Sequence, residues 1–184
     1  PMMLLVVLLA SILLALLRGG KLGNFAQLKI RWSWLILIGF LIQLIVFQPF
    51  WQETILTRSL TQVAYLVSLI LLLLALLANL RVPGVALLAL GFSLNFIAIA
   101  LNGGYMPASP EAVALAGRSP RAPGQVINNS IGAGPDTRVP FLTDIFAIPS
   151  PILFANVFSI GDVLIAIGGF YLIQRAMVPA GSPS

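Results

Sequence analysis

One carboxylate, Asp162, falls inside an apolar stretch that reads as a membrane-crossing helix, about 8 Å below its outer end at 1.5 Å rise per residue. A charge at such depth is costly, so an intramembrane acid marks a proton pathway or a ligand site by default. Measured from the outer ends of their own helices, Gln43, Ser68 and Asn95 fall at a similar depth, about 10 Å. Together the four side chains form a candidate intramembrane polar layer. It has two uses: hydrogen bonds that fix helix register, worth about 0.6 to 2 kcal/mol each, or a proton or ligand site in the outer leaflet. The acid has no intramembrane base beside it in the sequence, and so lacks the relay a proton pump needs.

Other reactive chemistry is missing by residue type. The chain has no His and no Cys, which removes the usual haem and transition-metal ligands, thiolate nucleophiles and disulfides. Glu53, Glu111, Asp136 and Asp144 are scattered, without metal-ligand or acid/base spacing. Arg18-Gly19-Gly20-Lys21 is a helix stop followed by basic anchors, since no Gly-Lys-Ser/Thr phosphate loop follows. No catalytic or metal site is expected, the chain is not expected to be an enzyme, and no cofactor is predicted. Bound lipid, quinone or carotenoid stays compatible, because packing alone can hold them.

The elements that would position the layer follow from composition. With 59% hydrophobic and 8% charged side chains over 184 residues, the chain cannot cover its own surface with polar groups, and lipid must solvate it. Five apolar stretches, at about residues 2–17, 32–50, 61–78, 83–101 and 157–174, approach the length that crosses about 30 Å of hydrocarbon. The predicted fold is an all-α, polytopic bundle: one membrane domain over 1–184, with an external loop at 102–156. Pro1 stands where an initiator Met is expected, so the chain as given can begin inside a longer gene product. The first stretch resembles a signal-peptide core, but Arg18 and Lys21 follow it rather than precede it, so it reads as a retained helix.

Charge orients the bundle. Arg18, Lys21, Lys29, Arg31, Arg81 and Arg175 lie in alternate connections without acids, which reads as cytoplasmic anchoring with the N-terminus outside and the C-terminus inside. Trp32, Trp34 and Trp51 flank the second span, as interfacial rings do. The net charge of +5 is dispersed over helix ends, so nucleic acid is not an expected partner. Between Arg18 and Arg31 the spacing fits either a short surface helix or an ordinary basic loop. Gly84, Gly91, Asn95 and Ala98 make a small and polar stripe on span four, and Asp162, Ala166 and Gly169 a similar one on span five. These stripes predict close packing of the two helices with Asp162 facing Asn95. Spans three and four form an antiparallel hairpin.

The external loop is too long and too rich in Gly and Pro for a passive link. Ser109-Pro110-Glu111 through Gly117 carries the signals of a short capped helix. Residues 136–149 alternate apolar and polar groups, which predicts an apolar side laid on the membrane or a neighbour. Asn128-Asn129-Ser130 fits the glycosylation pattern, a three-residue match that usually arises by chance.

Several blocks carry a resemblance: Leu17 to Leu22, Gln43, Asn102 to Pro107, Asp136 to Leu142 with Asp144, and Val157 to Leu164. On these the chain resembles an uncharacterised bacterial family of small multi-spanning membrane proteins, a domain of unknown function. The resemblance implies the architecture and a multi-pass place in the bacterial cytoplasmic (inner) membrane. It supplies no reaction. The function expected is a non-catalytic accessory or scaffold subunit of a larger bacterial membrane complex, respiratory or photosynthetic, meeting other membrane subunits through the external loop and helix faces. The alternative is a small transporter or lipophilic-ligand binder using the polar layer; five spans show neither repeats nor broken helices, which weighs against transport by a monomer.

Overall fold

A computed structural model describes residues 2–46, 55–127 and 129–178. Pro1, the last four residues of the second predicted span, Trp51, Glu53 and Asn128 of the glycosylation pattern lie outside the described residues.

Seven helices dominate the described chain: α1 (Met2–Leu17), α2 (Leu22–Ala26), α3 (Ser33–Val46), α4 (Ile55–Leu77), α5 (Val85–Leu101), α6 (Pro110–Leu115) and α7 (Ile160–Met177). Two of them, over Ser59–Leu77 and Ile160–Met177, are long and apolar enough to cross a membrane. Met3–Leu17, Ser33–Val46 and Val85–Leu101 are apolar but shorter. Local chemistry sets these lengths. Val82-Pro83-Gly84 forms a turn, with Gly84 left-handed at φ 87°, so α5 starts two residues after the predicted Pro83. At the other end Val157 and Phe158 are extended, so α7 starts three residues later than predicted. In contrast, α4 begins six residues earlier than predicted, at Ile55.

The class is mostly helical rather than purely so. The segment between α5 and α7 holds five short strands: β1 (Met106–Ala108), β2 (Val126–Ile127), β3 (Ser130–Gly132), β4 (Phe146–Ile148) and β5 (Asn156–Phe158). β3 is central, parallel to β1 and antiparallel to β2, while β4 and β5 make a separate antiparallel pair closed by the stacked rings of Phe146 and Phe158. A loop so rich in Gly and Pro does not sustain a long helix, and short ladders satisfy much of its backbone instead. The short helix is present: Ser109 Oγ caps α6 by accepting from Ala112 N at 3.1 Å, and Gly117 ends it. Leu142, in the 136–149 stretch, is buried against the helices, while Phe141 is exposed.

The long helices pack in the order α3, α4, α5, α7, α1. Hydrogen bonds fix their directions. Asn79 at the end of α4 grips the backbone of Arg31 before α3, accepting from its N–H and donating to its C=O, both at 2.8 Å. Gln43 meets Ser68 further along the same antiparallel pair. Helix α1 instead runs parallel to α7. Its Ser11 hydroxyl donates to Phe170 O, Gln174 Nε2 donates back to Ser11 O at 2.7 Å, and Arg18 Nη1 donates to Gln174 Oε1 at 2.9 Å. Lys21 N and Asn24 Nδ2 then cap Met177 O. The segment after Arg18 therefore does fold into a short helix, α2, with Leu22 and Phe25 exposed.

The α5–α7 contact is the tightest. A Cβ on Gly168 would lie 2.7 Å from Leu88 N and 2.8 Å from Gly84 O, and one on Gly91 would collide with Gly161 O. Gly84 and Gly91 lie against Gly168 and Gly161. Gly169 faces Leu8 of α1 instead, because consecutive helix residues point about 100° apart. Ala98 is buried among Tyr65, Leu69 and Met106, and Ala166 is buried within α7. Gly168→Val is expected to destabilise the bundle by about 1–3 kcal/mol through overpacking against backbone that cannot yield. Gly23→Ala, whose Cβ meets nothing within 4 Å, should stay within about 0.5 kcal/mol of the parent. Thermal unfolding in detergent measures both.

Candidate functional site

Asp162 is not deep in a helix. Because α7 starts at Ile160, the carboxylate occupies the first turn, where free backbone N–H groups carry partial positive charge. It is 5% exposed and fully engaged. Its backbone N–H donates to Ser159 Oγ at 3.0 Å, and Ser159 N donates back to Oδ2 at 3.2 Å, completing a capping box. Asn95 Nδ2 of α5 donates to Oδ1 at 2.9 Å, and the Ser159 hydroxyl donates to Asn95 Oδ1 at 2.7 Å. The predicted pairing of Asp162 with Asn95 is present, as part of a three-residue circuit that explains how a buried acid is tolerated.

The rest of the predicted layer forms a second pair. Gln43 Nε2 donates to Ser68 Oγ at 3.0 Å, and the Ser68 hydroxyl donates to Tyr65 O at 2.6 Å. Both pairs back onto one cavity of about 520 Å³, lined by Gln43, Asn95 and Asp162, with Ser68 buried outside its lining. All five long helices contribute: Leu4, Phe40, Leu69, Leu72, Phe92, Phe96, Ile99 and Ile165 make its apolar wall. The segment between α5 and α7 supplies Arg118, Arg121, Asn129, Asp144 and Asn156.

These loop residues were not singled out by the sequence as a site. Asp144 had read as a scattered acid; the structure brings it into the cavity that Asp162 lines, whereas Asp136 lies outside that lining. Backbone pairing does this: Asp144 N donates to Pro107 O and Ser109 N donates to Asp144 O, both at 3.0 Å, pinning the residue beside β1. Arg121 Nη1 donates to Ser130 Oγ at 2.7 Å, and Asn129 Nδ2 reaches Tyr65 Oη at 3.4 Å. Arg118 Nη2 makes only a long 3.4 Å contact to Ala155 O. Among the described residues the Asp144 carboxylate and the Asn156 amide have no hydrogen-bond partner, and no group of three or more acids is placed to hold a metal ion.

The six basic anchors are remote from this cavity. Arg18, Lys21 and Arg175 gather where α1 and α7 end, and Lys29, Arg31 and Arg81 lie by the α3 start and the α4–α5 turn.

Burial drives the Asp144 carboxyl up to about 7 from its ordinary 3.8, with Asp162 adding to the rise and Arg121 opposing it. A carboxyl raised by folding stabilises the fold fully below its unfolded value and loses that contribution as pH climbs through its folded value. Thermal midpoints of the parent protein, compared with Asp144→Asn, should therefore decline between pH 3.8 and about 7 and level off above that range. Parallel pH curves for the two proteins would contradict the buried placement of this carboxyl.

A family of unknown function, DUF5317, matches residues 27–174. No curated protein and no solved structure matches the chain. The family match begins after the Leu17–Leu22 block and takes in every cavity residue except Leu4. The polar cavity is thus built within the matched region, and the chain belongs to the family of unknown function DUF5317.

Proposed function

We propose that this is a multi-pass protein of the bacterial cytoplasmic membrane that crosses the bilayer five times and holds an amphiphilic ligand in a cavity of its outer half. The observation that carries the reading is the cavity itself: apolar side chains from five helices on one side, ionisable and amide groups from the outer loop on the other. Its size lies in the range of about 300–1,000 Å³ typical of ligand sites. A soluble core would not be lined this way, and an apolar lipid-facing groove would not carry Arg118, Arg121, Asp144 and Asp162.

Five crossings are supported by three further features. Large apolar side chains stand exposed along α1, α3 and α4, among them Leu13, Leu37, Leu44 and Val63; in water such a surface would drive aggregation. The antiparallel pairs α3–α4, α4–α5 and α5–α7, with α1 parallel to α7, are the directions that five successive crossings require. The basic anchors gather at the end opposite the outer loop, in accord with cytoplasmic cations. Although α5 spans only 17 residues, about 25 Å at 1.5 Å per residue, short spans are accommodated by local thinning and by snorkelling flanks.

The accessory-subunit expectation draws on a different feature. Ile152, Leu153 and Phe154 form an exposed apolar tip on the outer loop, with Leu153 75% exposed, a surface suited to a neighbouring subunit. Native mass measurement after gentle detergent extraction separates the two. Retained lipid-sized mass supports the ligand reading, and a stoichiometric protein partner supports the accessory reading. Ile165→Trp, which fills the cavity, should weaken lipid retention at least ~10-fold, the equivalent of about 1.4 kcal/mol, without unfolding the protein.

Topology has a direct test, because the chain contains no Cys. Gln125→Cys should react with an impermeant maleimide in intact cells, and Arg81→Cys only after permeabilisation. Labelling of both from outside would overturn the five-crossing arrangement.

A further inference from the structure

We infer that the cavity selects a phospholipid whose headgroup joins a phosphate to a primary ammonium, the phosphate on Arg118 and Arg121 and the ammonium on Asp144 and Asn156. The inference rests on the amphiphile reading above and specifies its ligand.

Unused hydrogen-bonding capacity is the starting point. Asn156 is 7% exposed, lines the cavity and makes no side-chain hydrogen bond among the described residues. Its amide atoms open onto the cavity, since no fully enclosed side-chain N or O among the described residues lacks a partner, so the amide is available to pair with an occupant. The half-buried Asp144 carboxylate likewise has no hydrogen-bond partner among the described residues, whereas both oxygens of Asp162 are occupied by Asn95 and Ser159. A carboxylate accepts, so the group facing Asp144 must donate, and the Asn156 amide adds an acceptor oxygen beside its own N–H donors. A primary ammonium offers three N–H donors and the charge that complements a carboxylate; a quaternary ammonium offers no donor at all.

The opposite charge is supplied close by. Arg121 spends a donor on Ser130 and Arg118 has only its long contact to Ala155, which leaves most of their N–H groups open. Guanidinium forks match phosphate oxygens. Two arginines and two aspartates line the cavity, so the wall is balanced in charge and suits a zwitterion. An anionic lipid would leave Asp144 without a cation, and a quinone or carotenoid would satisfy neither the acid nor the arginines. Acyl chains then follow Phe92, Phe96 and Leu69 down between the helices.

The test titrates the delipidated full chain in detergent with short-chain phosphatidylethanolamine, phosphatidylcholine and phosphatidylglycerol, read by native mass spectrometry. The expected result is binding of the ethanolamine lipid ~10-fold or more tighter than the other two. Asp144→Asn should erase the preference over phosphatidylcholine, and Arg121→Gln should weaken all three. Asn156→Leu is the second probe, removing the inner acceptor without altering charge, and it should reduce the same preference if Asp144→Asn misfolds. Tail-free phosphoethanolamine should bind at least ~10-fold more weakly than the lipid; equal binding would assign the site to a free headgroup. A retained ethanolamine preference in folded Asp144→Asn, or tightest binding of phosphatidylglycerol, overturns the inference. If the three lipids bind equally and Ile165→Trp abolishes binding, only the headgroup assignment falls; if no lipid binds, the amphiphile reading falls with it.

Discussion

Backbone touching backbone between α5 and α7 is the constraint from which the remaining structure follows. Gly84 against Gly168 and Gly91 against Gly161 leave no room for a side chain at either crossing. Such contact brings the helices closer than Leu or Phe would permit and fixes their antiparallel register to the residue. Only in that register does Asn95 lie opposite the first turn of α7, where it completes the circuit with Ser159 and Asp162. Since Asp162 needs this donor to remain buried at tolerable cost, packing and electrostatics are two sides of one arrangement.

The helices were legible because hydrophobic length and loop charge are local properties. The stripe containing Gly84 and Gly91 could be read, and the matching interval of seven between Gly161 and Gly168 was equally available in the sequence. A stripe through Asp162 and Gly169 competes with it on the same helix, and the sequence alone does not rank the two. The start of α7 is ambiguous for a related reason. Val157 and Phe158 suit an apolar helix as well as a strand, and only their pairing with Phe146 and Ala147 decides between them. That pairing is non-local, and no periodicity announces it.

The site was the less legible part. Gln43, Asn95 and Asp162 are visible as polar interruptions of apolar stretches, but Arg118, Arg121, Asp144 and Asn156 come from a loop whose path depends on short ladders between distant segments. Asp144 reaches the cavity through its backbone bonds to Pro107 and Ser109, and nothing in the order of residues identifies those partners beforehand. The polar supports at the far end were likewise hidden. Asn79 and Gln174 look like ordinary helix-end residues until the backbone of Arg31 and the hydroxyl of Ser11 are found against them.

The place of α7 between α5 and α1 bears on how such a molecule is made. Of the described long helices the last in the chain is the one that joins the two sides of the bundle. Until it is in place, the earliest helix lacks its chief neighbour, the glycine face of α5 is uncovered, and Asn95 waits without its acid. The bundle therefore cannot close progressively from its N-terminal end: the four earlier long helices form a loose, soft-edged group, and the arrival of α7 closes it like a keystone.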